Sequence, residues 1–151
     1  MIGWAAVTGS VSLESISLFL IIFMWTPPHF WALALYRSDD YARVGVPMLP
    51  VVAGKRETRK QILIYSFILV ATSFAPLALG FAGLAYGTAA ALSGLIFLAL
   101  AFRIWAGGDG EKADGKAKAL FAYSILYLFL LFAVLLAERA IGLAPVTGLW
   151  A

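Results

Sequence analysis

Residues 119–137 read ALFAYSILYLFLLFAVLLA, nineteen positions without a charged side chain. At about 1.5 Å rise per residue a helix of this length covers roughly 28 Å, close to the ~30 Å hydrocarbon core of a bilayer. Working back along the chain, two more apolar runs of similar length stand between charged stretches, Ile62 to Ala82 and Tyr86 to Trp105. A fourth, Leu13 to Tyr36, is long enough but carries Pro27 and Pro28 near its middle. The whole chain is 63% hydrophobic and 13% charged, against about 45–50% and about 25% in soluble domains. An all-α, polytopic transmembrane helical bundle is expected, with spans near 13–36, 61–82, 86–106 and 119–139 and no linker dividing residues 1–151. The opening MIGWAAVTGSVSLES has no basic region ahead of its apolar residues and no small-residue cleavage pattern, so it is not read as a secretory signal.

The charges give an orientation. Arg37, Arg43, Lys55, Arg56, Arg59 and Lys60 lie between the first and second spans, and Arg103, Lys112, Lys116 and Lys118 between the third and fourth. Loops 37–60 and 103–118 are therefore expected to be cytoplasmic. The Gly80–Tyr86 connection is uncharged, so both ends of the chain face the opposite side. A longer protein starting in the cytoplasm would then need an odd number of spans before Met1. The net charge of +3 is explained by this topology and does not point to nucleic acid. No cysteine is present, which excludes thiolate metal sites and leaves carboxylate, imidazole and hydroxyl chemistry.

The second half of the first span and the segment after it, WTPPHFWALALYRSDDYARVGVPMLP from Trp25 to Pro50, concentrate the unusual residues. Two prolines remove two helical N–H donors and disfavour helix at Thr26, which predicts a kink or a short unwound step. Freed carbonyls in hydrocarbon must face protein or a wet cavity. His29, the only histidine, lies one residue beyond. It either satisfies a freed carbonyl or lines a polar cavity. Trp25, Phe30 and Trp31 surround it, as packing rings or as cavity walls able to stabilise a cation. Asp39 and Asp40 stand at the span's end; adjacent carboxylates diverge by about 100° on a helix, so one is expected to face a cavity. Mg²⁺ favours such oxygen ligands together with water and substrate phosphate. GKRETRKQ, residues 54–61, packs four cations into six positions, as a topology determinant or as a diphosphate cradle. GVPMLP, 45–50, is read as a stiff non-helical connection. GGDGEKADGKAK, 107–118, is read as a flexible solvated loop, because Leu120 stands where a calcium-binding loop starting at Asp109 would need glutamate.

Taken together, GWAAVTG, WTPPHFWALALYRSDDYARVGVPMLPVV and KALFAYSILYLFLLF closely resemble the protohaem IX farnesyltransferase (haem O synthase) branch of the UbiA superfamily of membrane prenyltransferases. The resemblance implies a nine-span helical fold around a central cavity, of which this chain looks like the last four spans; five absent spans agree with the odd number inferred from charge. It implies transfer of a farnesyl group from farnesyl diphosphate to a vinyl group of haem B, giving haem O. Asp40 and Tyr41 match the second acidic motif, so Asp40, Asp39 and Tyr41 become the catalytic candidates, with Asp40 and Asp39 as Mg²⁺ ligands. Arg37, Arg59 and Lys60 would bind diphosphate. His29, Trp25, Phe30 and Trp31 would contact substrate.

The first acidic motif of the family has no counterpart here, so the isolated chain is expected to be inactive and to need the absent N-terminal helices as partner. Other branches space their second-motif aspartates three or four apart, whereas Tyr36, Arg43 and Val44 stand at those offsets from Asp40. A bacterial plasma membrane fits the short loops. Two other readings stay open, an aromatic prenyltransferase acting on a quinone precursor and a non-catalytic four-helix membrane subunit.

Overall fold

The computed structural model describes residues 1–108 and 111–142, and among them the chain is helical without strands. A short exposed helix α1 (Ile2–Thr8) precedes α2 (Leu13–Tyr36), and then come α3 (Ser38–Arg43), α4 (Leu49–Val52), α5 (Gly54–Thr72), α6 (Ala75–Ala78), α7 (Leu84–Trp105) and α8 (Glu111–Ala140). Four helical stretches are long and apolar enough to cross a bilayer: α2, α5 running on into α6, α7 and α8. They form a closed ring in which α2 packs on α5 and α8, and α7 packs on α5 and α8. Large apolar side chains such as Phe23, Phe67, Leu95 and Phe129 remain exposed on the ring's outside, the surface a bilayer would cover.

Five expectations about local structure change. The prolines do not unwind α2, which stays helical from Leu13 through Tyr36 with Pro28 buried. Thr26 also stays helical, and its hydroxyl donates to the Ile22 carbonyl. Packing against α5 and α8 holds the segment where local preference alone would open it. The basic stretch 54–60 is not loop but the first turns of α5, and the span expected at 61–82 ends in α6 at Ala78. Gly80, at φ 75°, then turns the chain while Gly80 donates to Leu77 and both Phe81 and Ala82 donate to Pro76. The polar stretch 107–118 is likewise helical from Glu111, so it lengthens α8. GVPMLP is extended only to Met48, because Leu49 and Pro50 begin α4, where proline's missing N–H costs nothing.

Small residues of α7 face α5 and α6. A Cβ on Gly94 would lie 2.8 Å from Val70 Cγ1, and one on Gly87 would lie 3.0 Å from Leu77 Cδ2. Ala90, between them, is fully buried. The lack of side chains here lets α7 approach both helices closely, the usual route to helix association where lipid is as apolar as leucine.

At the end of the ring away from the charged loops, polar groups form a buried network. Glu138 of α8, only 5% exposed, accepts the backbone N–H of Gly83 on Oε2 and of Tyr86 on Oε1, both at 2.8 Å. It thus caps the first turn of α7 from another helix and opposes the positive end of that helix's dipole. Tyr86 Oη donates to the Ser73 carbonyl and Tyr127 Oη to Ser73 Oγ, each at 2.8 Å, while Ser73 Oγ donates to Leu69. One cluster thereby joins α5, α7 and α8.

Removing the cap leaves two buried N–H groups without partners. Glu138→Ala is expected to destabilise the bundle by about 2–4 kcal/mol, measured as helical signal during denaturant unfolding in micelles. Gly83→Ala places a Cβ 2.8 Å from Glu138 Oε1 and should cost about 1–3 kcal/mol by displacing the carboxylate. Because both changes strike one cap, the double variant should lose less than the sum; full additivity would show that the two residues act independently.

Candidate functional site

On the half of α2 nearer the charged end, His29 is sandwiched between two aromatic rings. Trp25, one turn earlier, stacks at 4.2 Å between centroids and 19° between planes, and Phe121 of α8 stacks at 4.5 Å and 22°. Trp25 Nε1 donates to the Ser124 carbonyl at 2.7 Å. His29 Nδ1 lies 2.7 Å from Ser124 Oγ, which itself lies 2.6 Å from the Phe121 carbonyl.

One assignment of the protons makes hydrogen bonds of both Ser124 contacts. A carbonyl can only accept, so the single serine hydroxyl proton points to Phe121, and the serine oxygen must accept from His29. His29 is therefore the Nδ1–H tautomer, leaving the Nε2 lone pair with no hydrogen-bond partner among the described residues. The ring is 9% exposed and is fixed on both faces and at one nitrogen.

The other aromatic candidates diverge from it. Phe30 meets the His29 ring edge-on at 5.4 Å but is 47% exposed, so it faces mostly outward. Trp31 turns to α5, where its ring is perpendicular to Tyr65 at 5.1 Å. Of the four substrate candidates, only Trp25 and His29 share one face of α2, as their four-residue spacing requires.

The acidic pair occupies the first turn of α3. Asp40 Oδ2 accepts from Arg37 Nη1 at 2.9 Å across two exposed side chains, a screened contact that a stronger ligand could replace. That carboxylate also raises the Arg37 pKa above its usual value, chiefly through the hydrogen bond. Asp39 is exposed too, and its Oδ1 accepts from Ser38 Oγ at 3.4 Å. Tyr41 is half-buried, with its carbonyl accepting from Val46. Tyr36 links this cluster to the histidine: Lys118 Nζ lies 5.4 Å from its ring centroid, the Arg37 guanidinium 6.0 Å, and Phe121 meets it edge-on at 6.3 Å.

Arg59 and Lys60 stand elsewhere at the same end. With Arg56, Glu57, Ala53, Trp105 and Gly107 they line a cavity of about 680 Å³. Arg59 Nη1 donates to the Gly108 carbonyl at 3.3 Å, and Lys60 lies 3.8 Å from Glu57. Arg37 and the aspartates do not line this cavity, so the expected diphosphate set is divided: Arg37 joins Asp40, and Arg56 joins Arg59 and Lys60. Among the described residues no group of three histidine or carboxylate side chains could enclose a metal ion. Asp39 and Asp40 offer oxygen donors suited to Mg²⁺ but only part of a shell, the remainder needing water, phosphate or residues outside this chain.

Ser124, Phe121 and Lys118 do not stand out by sequence for these positions, whereas Arg56 belongs to the basic run 54–61. Ser124 is one hydroxyl in an otherwise apolar run, and only the α2–α8 contact gives it a role.

A ring of four apolar, bilayer-length helices with all its lysines and arginines but Arg139 at one end defines an integral membrane protein of the polytopic helical class. Residues 1–125 match the UbiA prenyltransferase family, and the chain belongs to it. It is 64% identical over 143 residues to a protoheme IX farnesyltransferase of Parvibaculum lavamentivorans, covering 95% of this chain and 45% of that protein. It is 60% identical to one from Azorhizobium caulinodans (93% and 46% covered) and 55% identical to protoheme IX farnesyltransferase 2 of Mesorhizobium japonicum (98% and 47% covered). The chain thus spans about half the length of the curated relatives it matches. No solved structure matches it.

In ¹⁵N spectra of histidine-labelled protein, His29 should show a protonated Nδ1 and a bare Nε2. Ser124→Ala removes the acceptor and should shift the ring toward the Nε2–H or a mixed population; an unchanged spectrum would contradict the assignment.

Proposed function

We propose that this chain is the C-terminal part of a protoheme IX farnesyltransferase and contributes one wall of its active site. The reaction moves a farnesyl group from farnesyl diphosphate to a vinyl group of haem B and adds water, giving haem O and diphosphate. The observation that carries this reading is the 64% identity to a protein of that name, in a chain whose Asp39–Asp40 pair and most of whose cations lie at one end of an apolar bundle.

The roles follow from chemistry. Asp40, with Asp39 beside it, would hold Mg²⁺, which when bound neutralises charge on the leaving diphosphate. Arg37 is positioned to exchange its contact with Asp40 for a phosphate oxygen, and the Arg56–Arg59–Lys60 cavity supplies fixed positive charge at the same end. Tyr41 stands next to the acidic pair. The aromatic packing of Trp25, His29 and Phe121 keeps this part of the wall dry, which protects a developing allylic cation from premature water. Phe30 and Trp31 belong to this reading only if helices from the absent half enclose the faces they present. The charged end lies on the cytoplasmic side of a bacterial inner membrane, as the positive-inside bias favours, and helices preceding Met1 complete a nine-span domain.

The test is co-expression of this chain with the N-terminal half of the Parvibaculum relative, with chromatography of the extracted haems. Haem O should form with both halves and not with either alone. Asp40→Asn should lower its rate by about 10²–10³-fold, and chelation and then Mg²⁺ addition should abolish and restore it. Normal rates with Asp40→Asn would remove that residue from the metal site. Haem O from this chain alone would remove the need for a second half.

A further inference from the structure

A second cavity at the charged end lies apart from the candidate site. Its walls are Arg103 and Leu100 of α7 and Lys112, Gly115, Lys116 and Ala119 of α8, and its volume is about 360 Å³. Among the described residues it shares no lining residue with the Arg56 cavity and none with α3. Three cations converge on it, with no carboxylate among its described lining residues. Among the described residues no ion pair reaches any of the three.

One cation is accounted for within the fold. Lys116 is half-buried, and its Nζ lies 3.0 Å from where a Cβ on Gly107 would stand, a point 3.2 and 3.3 Å from the carbonyls of Arg103 and Ile104. It therefore sits against the negative end of α7. Arg103 stands in the last turn of that helix, and among the described residues neither it nor Lys112 has an ion-pair partner. Topology alone asks for positive charge in a connection between spans; it does not ask for two residues on different helices to converge on one groove.

The groove is graded in polarity along the membrane normal. From Lys112 to Ala119 is about 10 Å along α8, and from Arg103 to Leu100 about 4.5 Å along α7. Its mouth is cationic and its floor is apolar. Phe102 and Trp105, rings 5.4 Å apart and 54% and 48% exposed, lie on α7 at the same end of the bundle, as side chains at a membrane interface do. A small soluble anion would use the mouth and leave the floor wet. A phosphodiester attached to acyl chains matches both, with the arginine fork on two phosphate oxygens and the lysine as a point charge.

We propose that this groove seats an anionic phospholipid, with its phosphodiester between Arg103 and Lys112 and its first acyl carbons along Leu100 and Ala119. Such a lipid would bridge α7 and α8 where the chain leaves the membrane between them.

The test uses the whole chain in vesicles of phosphatidylcholine with or without phosphatidylglycerol, and reads lipid retained after mild detergent extraction by native mass spectrometry. The double variant Arg103→Gln/Lys112→Gln should weaken phosphatidylglycerol retention by about 30-fold, since each juxtamembrane cation contributes about fivefold. Arg43→Gln/Lys55→Gln, which removes equal charge elsewhere at that end, should leave retention unchanged. Ala119→Trp keeps every charge and fills the floor, and should also expel the lipid, so the proposal does not rest on one variant's folding. Equal losses in both charge variants would reduce the effect to surface attraction and overturn the proposal, as would retention in Ala119→Trp. Displacement of phosphatidylglycerol by millimolar inorganic phosphate would reassign the groove to a soluble anion.

Discussion

Every helix that starts or stops near hydrocarbon leaves backbone groups that water cannot reach, and this bundle depends on how those groups are satisfied. The beginning of α7 is the clearest case. No side chain of α7 itself caps its first turn; the carboxylate comes from Glu138, more than fifty residues later in the chain. That contact fixes the start of α7 against the end of α8 and brings Tyr86 to Ser73, which also receives Tyr127. Close approach of α7 to α5 at Gly94 and to α6 at Gly87 extends the same alignment along the ring. A burial that would be costly for an isolated carboxylate becomes stabilising here because two N–H donors and a helix dipole meet it.

At the opposite end the same economy of polar contacts arranges the candidate site. Ser124 serves three partners at once: its hydroxyl donates to Phe121 and accepts from His29, and its carbonyl accepts from Trp25. The consequence is an imidazole fixed in plane, in tautomer and in place between α2 and α8. The nearby carboxylates are held loosely by comparison, on a short exposed helix and bound to one solvated arginine. Rigid apolar walls beneath labile charged groups are the combination that this end of the bundle presents.

Much of this was legible in the chain. Uncharged runs of bilayer length left little freedom in the number of spans, and the distribution of lysine and arginine gathered the charged connections at one end. What could not be read was where a helix continues past its apolar run. GKRETRKQ and GGDGEKADGKAK look like loops because they are polar, yet a polar helix projecting into water has the same composition. Conversely, Pro27 and Pro28 look like a break, since local preference weighs against helix there, while lateral packing against two neighbours outweighs it. The histidine stood out because it is the sole one; its serine partner did not, because serine in an apolar helix is ordinary until a second helix arrives opposite it. The diphosphate candidates were chosen by type and proximity in sequence, and the fold separated them because Arg37 ends one helix and Arg59 rides on another.

Continuity of α5 through its basic stretch has a mechanical consequence. Arg56, Arg59 and Lys60 are borne on a stiff shaft that runs unbroken into the membrane, so their location answers to the inclination of the span. For the 19-residue α5 pivoting at its centre, ten degrees of tilt moves the tip by about 2.5 Å, enough to make or break a charged contact. Since spans adjust their tilt to the thickness of the surrounding bilayer, the lipid environment acts on the geometry of the cationic cavity through a lever built into the fold.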